Sequence, residues 1–330
     1  MKRLACAALA FLAIFSTAAC STAGRAAARG VAEGGGAFDI PRLDNITIDG
    51  DAADWKDAGF HINMLTSRTG KVKLVDDLDA RARLAYDQRG LLFLLTVRDD
   101  VPNETERIWD GDSVELFISD AAVSPQAHQY QVLMTPGIDP KYPEGREPRL
   151  VFTDRRSEEL KKVVLAPEYG RKPLLENGKT VGYVLEMRLP WEQLGMVAEV
   201  GREVKFQFVV NDLDVAASSK FKLAWFPRDN MHHQPGDMYT LRLSDKASTA
   251  IDAVASVDRE RFRRTVVTVL GTEEAAGMMV VAEMRRDGKP VKVEGVLSKK
   301  DGRSECKLLL PLSEEEERLI VSIGQLTLHA

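Results

Sequence analysis

Residues 108–120 read IWDGDSVELFISD. A tryptophan precedes an Asp-Gly turn signal, and a run of strand-forming residues leaves that turn with Glu115 in its middle. Side chains alternate across a strand, so Val114, Leu116 and Ile118 share one face while Ser113, Glu115 and Phe117 share the other. The same alternation recurs along the chain. QYQVLM (129–134) sets Tyr130, Val132 and Met134 apart from Gln129, Gln131 and Leu133. YVLEMRL (183–189) sets Tyr183, Leu185, Met187 and Leu189 apart from Val184, Glu186 and Arg188. VKFQFVVN (204–211) sets Val204, Phe206, Phe208 and Val210 apart from Lys205, Gln207, Val209 and Asn211. One apolar face per strand, with turn signals between strands, predicts antiparallel sheets stacked as a β-sandwich.

The neighbouring segments extend this pattern. ARARLAYD (80–87) and LLFLLTVRDD (91–100) flank a Gln-Arg-Gly turn and predict a hairpin, and FKLAWF and MYTLRL supply further strands. PWEQLG (190–195) predicts one helical turn, with Pro190 first and Gly195 as its stop. A break at SDKASTA (244–250) separates a second β-rich unit, residues 244–330, expected to be a small immunoglobulin-like sandwich. In it DG at 287–288 and 301–302 marks two hairpin turns, and EEEE (314–317) reads as a solvated loop. The fold class is therefore all-β: an antiparallel sandwich over residues 38–243, followed by a smaller one.

The totals narrow the function. A chain of 330 residues has room for about two domains. Its net charge is −5; without residues 1–19, which hold Lys2, Arg3 and no acids, 43 basic residues face 50 acidic ones, net −7. That balance argues against nucleic acid, whose phosphates need a basic face. The start, MKRLACAALAFLAIFSTAAC, has a basic end, a short apolar core and small residues before Cys20, the pattern of an export signal. It resembles a bacterial lipoprotein signal over residues 1–19, in which Cys20 is lipidated and anchors the protein to a membrane. Ser21 after that cysteine would favour the outer membrane. Residues 20–37, rich in Ala, Gly and Arg, lack large apolar groups and read as a flexible tether. Cys6 would leave with the signal and Cys20 would carry lipid, so Cys306 has no disulfide partner and the fold must hold by packing.

Two readings compete for the polar faces. They could meet water, as one side of an antiparallel sheet often does. They could instead line a cleft in which amides and carboxylates pair with sugar hydroxyls beside a stacking indole. The order of motifs favours the second. DNITIDGDAADWKDA (44–58), the hairpin ending in VRDD, IWDGDSVELFISD, GYVLEMRLPWEQLG (182–195), FQFVVNDLDV (206–215) and GDMYTLRL (236–243) resemble, in family order, the family 9 carbohydrate-binding modules. The resemblance implies a sandwich that binds saccharide without cleaving it, as a module able to assist a glycoside hydrolase. It implies that Trp109 stacks on the sugar and Glu115 accepts its hydroxyls, with Asn211, Gln131, Arg188 and His232 as further contacts. The chain departs from the family where a second stacking tryptophan is expected: NMHHQPGDM (230–238) offers His232 and His233 instead.

Other chemistries have less support. Glu115 could simply pair with Arg188 or Lys205. Trp55, Trp191 and Trp225 stand where packing explains them. His232, His233 and His128 lack the spacing of a metal site. Asp76, Asp77 and Asp79 with Asp99 and Asp100 carry hard oxygens suited to a structural calcium, without calcium-loop spacing. Asp112 and Glu115, three apart on a strand, point to opposite faces and cannot flank one bond as a glycosidase pair does. Two alternatives stay open. One is a b-type haem sandwich ligated through Met134, and the other is a surface scaffold that meets protein partners through its C-terminal unit.

Overall fold

The first sandwich is built from thirteen strands in chain order: Ala37–Pro41 (β1), Phe60–Ile62 (β2), Thr66–Ser67 (β3), Leu78–Tyr86 (β4), Gly90–Asp99 (β5), Ser113–Asp120 (β6), Gln129–Met134 (β7), Arg149–Phe152 (β8), Glu168–Glu176 (β9), Lys179–Pro190 (β10), Glu203–Asp212 (β11), Phe221–Ala224 (β12) and Tyr239–Ser244 (β13). The computed structural model describes residues 37–67, 77–120, 129–142, 149–152, 166–214, 220–226, 238–245, 252–258, 264–286, 288–311, 319–324 and 326–329. The export signal, Cys20, residues 20–36 of the expected tether, His128, His232, His233, Asp287 of the expected 287–288 turn and the acidic run at 314–317 lie outside these residues, while Ala37 already belongs to β1.

One sheet runs β1-β13-β11-β6-β7-β8, with β12 on β11 and β3 on β12; the other runs β2-β4-β5-β10-β9. The expected hairpin is β4–β5, joined through a turn in which the Asp87 carboxylate accepts the N–H groups of Arg89 and Gly90, both at 2.8 Å. The alternate apolar residues read from the sequence meet between the two sheets: Val114, Leu116 and Ile118 from β6, Tyr183, Leu185 and Met187 from β10, and Phe206 and Phe208 from β11. Trp225 sits in an aromatic cluster with Phe38, Phe206, Phe208 and Tyr239, its ring centroid 4.6 Å from that of Tyr239. Met134 is buried in this same core.

The polar faces do not meet water. On the first sheet Glu115, Gln131, Gln207 and Asn211 are all buried, beside an apolar cluster of Phe117, Val209, Ala224 and Met238. On the second sheet, Ile46 and Trp55 from the stretch before β2 pack over Ala85, Leu92 and Leu94. That cover is fastened at Glu186. Its carboxylate accepts the Trp55 indole N–H at 2.7 Å and the N–H groups of Asp49 at 2.9 Å and Gly50 at 3.1 Å. The Ile-Asp-Gly…Trp stretch and the glutamate of GYVLE are thus two halves of one clamp. Gly50 is required in it: its φ is +81°, and a Cβ there would lie 2.7 Å from the backbone nitrogen of Arg171.

Pro190 ends β10, and residues 191–195 form a turn in place of the expected helical turn. Leu194 N–H donates to the Pro190 carbonyl at 3.1 Å, and Gly195 ends the turn at φ +65°, as its type predicted. The segment is pinned before it can propagate, because the Trp191 indole donates to the Asp87 carbonyl at 2.9 Å.

The C-terminal strands are Asp252–Asp258 (β14), Arg264–Gly271 (β15), Met279–Arg286 (β16), Lys289–Val296 (β17), Ser298–Lys300 (β18), Arg303–Pro311 (β19), Ile320–Ile323 (β20) and Leu326–His329 (β21). They form two four-stranded antiparallel sheets, β14-β15-β19-β18 and β17-β16-β20-β21. Val267, Val269, Ala282, Leu308, Leu310, Val321 and Ile323 are buried, as is the free Cys306. Asp301 and Gly302 take φ +50° and +78° between β18 and β19, the paired positive angles of a tight hairpin turn.

Candidate functional site

Glu115 lies at the centre of β6, with Gln131 on the neighbouring strand β7 and Asn211 on β11 at the other side. It is 3% exposed. A buried carboxylate has to be met by donors. Gln131 Nε2 donates to Oε2 at 2.7 Å and Asn211 Nδ2 donates to Oε1 at 2.7 Å. Lys222 on β12 brings its ammonium to 3.7 Å from Oε1. Asn211 Nδ2 also donates to Ser113 Oγ at 3.1 Å, which fixes the amide orientation and leaves Oδ1 buried, with no hydrogen-bond partner among the described residues.

Trp109 stands beside this group in a short 3₁₀ helix, Ile108–Asp110, directly before β6. Ile108 is buried beneath it, while the Trp109 side chain is an exposed large hydrophobic, 39% accessible. The other three tryptophans are all buried, so Trp109 alone presents an indole to solvent. Lys220 donates to the Trp109 carbonyl and holds Asp110 at 3.6 Å. Burial lowers the Lys220 ammonium below its ordinary value, and the nearby Lys222 charge lowers it further.

Three expected contacts, Glu115, Gln131 and Asn211, therefore sit on adjacent strands of one sheet, and the fourth, Trp109, stands in the turn that leads into β6. Arg188 does not join them, which corrects the expectation. It lies on β10 in the opposite sheet, where its Nε is 3.0 Å from Asp87 Oδ2, its Nη2 donates to the Ile46 carbonyl at 2.8 Å, and its Nη1 meets Glu168. The alternating pattern marks which face a residue occupies and says nothing about which sheet carries that face. Glu115 pairs with neither Arg188 nor Lys205; Lys205 donates to Thr240 Oγ1 at 2.7 Å. Lys222 escaped the sequence reading, although it is the only charge in the apolar strand FKLA, the same signal that marked Glu115.

A second group lies at the strand ends. The carboxylates of Asp99, Asp112 and Asp212, all buried, come within 4.8 Å of one another, and those of Asp77, Asp100 and Asp214 do the same. Asp112 accepts the Leu213 N–H at 2.8 Å and also the Asn103 N–H, and Asp99 accepts the Val101 N–H at 3.0 Å. Burial, with Asp212 adding repulsion, pushes the Asp99 carboxyl up to about 7. Burial and the charge of Asp99 push Asp112 up to about 8. The expected oxygen set is partly redrawn: Asp77, Asp99 and Asp100 take part, Asp112, Asp212 and Asp214 join from distant sequence, Asp79 pairs with Arg81 at 3.1 Å, and Asp76 lies outside the described residues.

With this geometry in view, the chain can be set beside known proteins. No curated protein matches it. Among solved structures, a family 9 carbohydrate-binding module from Caldicellulosiruptor kristjanssonii in complex with cellotriose aligns at 18% identity and a TM-score of 0.47, covering 64% of this chain and 95% of that one. The same organism's family 9 module in complex with glucose aligns at 18% identity and a TM-score of 0.46, covering 64% and 97%. Residues 48–135, which include the Asp49–Trp55 clamp, Trp109, Glu115 and Gln131, match a family model, and over that stretch the chain carries a carbohydrate family 9 binding domain-like region.

Proposed function

We propose that this protein is an exported, lipid-anchored, non-catalytic saccharide-binding protein. The observation that carries the reading is the buried Glu115, held by two amide donors next to an exposed indole. The ligand's C–H face packs on Trp109 while its hydroxyls donate to Glu115. The modules bound to cellotriose and glucose support oligosaccharide as the ligand class. Lipidation at Cys20 in the outer membrane, with residues 20–37 as tether, would present the sandwich to glycan at the cell envelope. The C-terminal strand order, with one sheet pairing the first, second, sixth and fifth strands, supports an immunoglobulin-like reading of that unit. A glycan array, with calorimetry on each hit, tests the reading: the expected result is saturable binding of a defined set of oligosaccharides. An empty array with a folded protein overturns it.

Calcium at the Asp99, Asp112 and Asp212 carboxylates belongs to the same proposal. Three buried carboxylates so close together need protons or a cation, and their hard oxygens suit calcium. Because Asp112 ties residue 103 to residue 213 below the Trp109 turn, a bound ion would stiffen the stacking wall. The raised carboxyl values set a pH dependence. Without metal, the folded state holds protons that the unfolded chain releases near 4, so stability is full below that value and is lost as pH rises towards about 7 to 8. Chelator-treated protein should therefore melt lower at pH 8 than at pH 5. Calcium at about a hundred times its Kd should raise the pH 8 midpoint by roughly 5–10 °C. Equal melting at both pH values, with no calcium response, would remove the ion from this site.

A further inference from the structure

Three cations, Arg107, Lys220 and Lys222, gather near Trp109. Arg107 and Lys220 share Asp110, at 4.0 and 3.6 Å, and Lys222 has Glu115 at 3.7 Å. Lys220 and Lys222 are two residues apart on and beside β12, so both side chains leave the same face of the strand, where each acts on the other. Lys220 already donates to the Trp109 carbonyl. Lys222 differs: its contact with Glu115 is an ion pair beyond hydrogen-bond length, and no described residue accepts its protons. A partly exposed ammonium with three undirected donors, beside a stacking indole, is arranged for a ligand that brings acceptors and negative charge.

The stacking inventory points the same way. The chain has four tryptophans, of which Trp55, Trp191 and Trp225 are buried. A sugar here has one indole wall available, so a neutral ring gains less from stacking than it would between two, and a charge contact has more weight.

We infer that the saccharide taken at this site carries a carboxylate, a hexuronate unit, whose charge seats at Lys222 and Lys220 while its ring lies on Trp109. The inference rests on the saccharide reading above and names the class of sugar for it.

Calorimetry on the purified chain decides it, with cellotriose and a galacturonate trisaccharide as probes. The galacturonate should bind about tenfold tighter than cellotriose at low salt, and this preference should shrink as salt is added, because screening weakens charge contacts. Lys222→Gln should bring galacturonate down to the cellotriose level, costing galacturonate about tenfold more than it costs cellotriose, and Lys222→Arg should restore the preference. If Lys222 serves only as counter-ion to Glu115, Lys222→Gln weakens both probes alike, which overturns the inference. Cellotriose binding with no galacturonate preference in the unmodified protein also overturns it and leaves the saccharide reading standing. Binding of neither probe, with the array empty, removes both. The salt titration of the unmodified chain and the milder Lys220→Gln variant keep the test decisive should Lys222→Gln fold poorly.

Discussion

Trp109→Ala should abolish measurable saccharide binding, an affinity loss of at least about 30-fold, while the melting temperature stays within about 2 °C. The two readouts separate because of where the residue sits. The Trp109 side chain is exposed, Ile108 beneath it is buried, and the contact from Lys220 goes to the Trp109 backbone carbonyl, which alanine retains. Truncation therefore leaves no core cavity and keeps the Lys220 contact to the turn. It does remove the only exposed indole, and with it the surface on which a sugar ring would lie. Calorimetry with the best array ligand reads the first quantity and a thermal scan the second. Unchanged affinity would place the ligand elsewhere on the molecule. Trp225→Ala is the control of opposite character: that ring lies among Phe38, Phe206, Phe208 and Tyr239, and its loss should cost about 3–5 kcal/mol of stability.

Arg188→Ala should behave in the reverse way, destabilising the sandwich by about 3–5 kcal/mol without changing saccharide affinity. The Arg188 guanidinium is buried, and removing it strands the Asp87 carboxylate without its cation and the Ile46 carbonyl without its donor. Asp87 also closes the β4–β5 turn through the N–H groups of Arg89 and Gly90, so the damage reaches the hairpin. Glu168, the remaining partner, is partly exposed and can be solvated, so most of the loss falls on Asp87. Urea unfolding of the variant beside the parent measures it. A shift below about 1 kcal/mol would mean that water replaces the guanidinium, and a weakened sugar affinity would reopen the placement of Arg188 at the ligand.

These two residues also show how far the sequence could be read. Period-two alternation identified the apolar faces of β6, β7, β10 and β11 because burial imposes it residue by residue. Arg188 and Glu115 occupy equivalent polar positions on their own strands, yet one lies under the Ile46–Trp55 cover and the other beside Trp109. That assignment depends on strand order, to which alternation is blind. Motif order brought Glu115, Gln131 and Asn211 together, since their strands are neighbours in the sheet. It could not reveal that Glu186 clamps Trp55, a contact 131 residues apart in sequence. The sequence offers the acidic group only among chain neighbours, around Asp76–Asp79 and Asp99–Asp100. The fold assembles it from the ends of β5 and β11 and from the turn before β6. Lys222 was passed over because a single lysine in a short strand resembles a solvated edge until its strand is placed next to Asn211.

The pairing of β1 with β13 has a mechanical meaning. These strands run parallel, Ala37 beside Thr240 and Pro41 beside Ser244, so the chain enters β1 at one end of the pair and leaves β13 at the other. A pull between the two ends of the sandwich would load the whole β1–β13 ladder in shear, all its backbone bonds sharing the force at once. An antiparallel closing pair pulled from adjacent ends would instead unzip one bond at a time. A domain stretched between an anchored start and a bound or docked far end would thus resist tension through the pair of strands that completes its sheet.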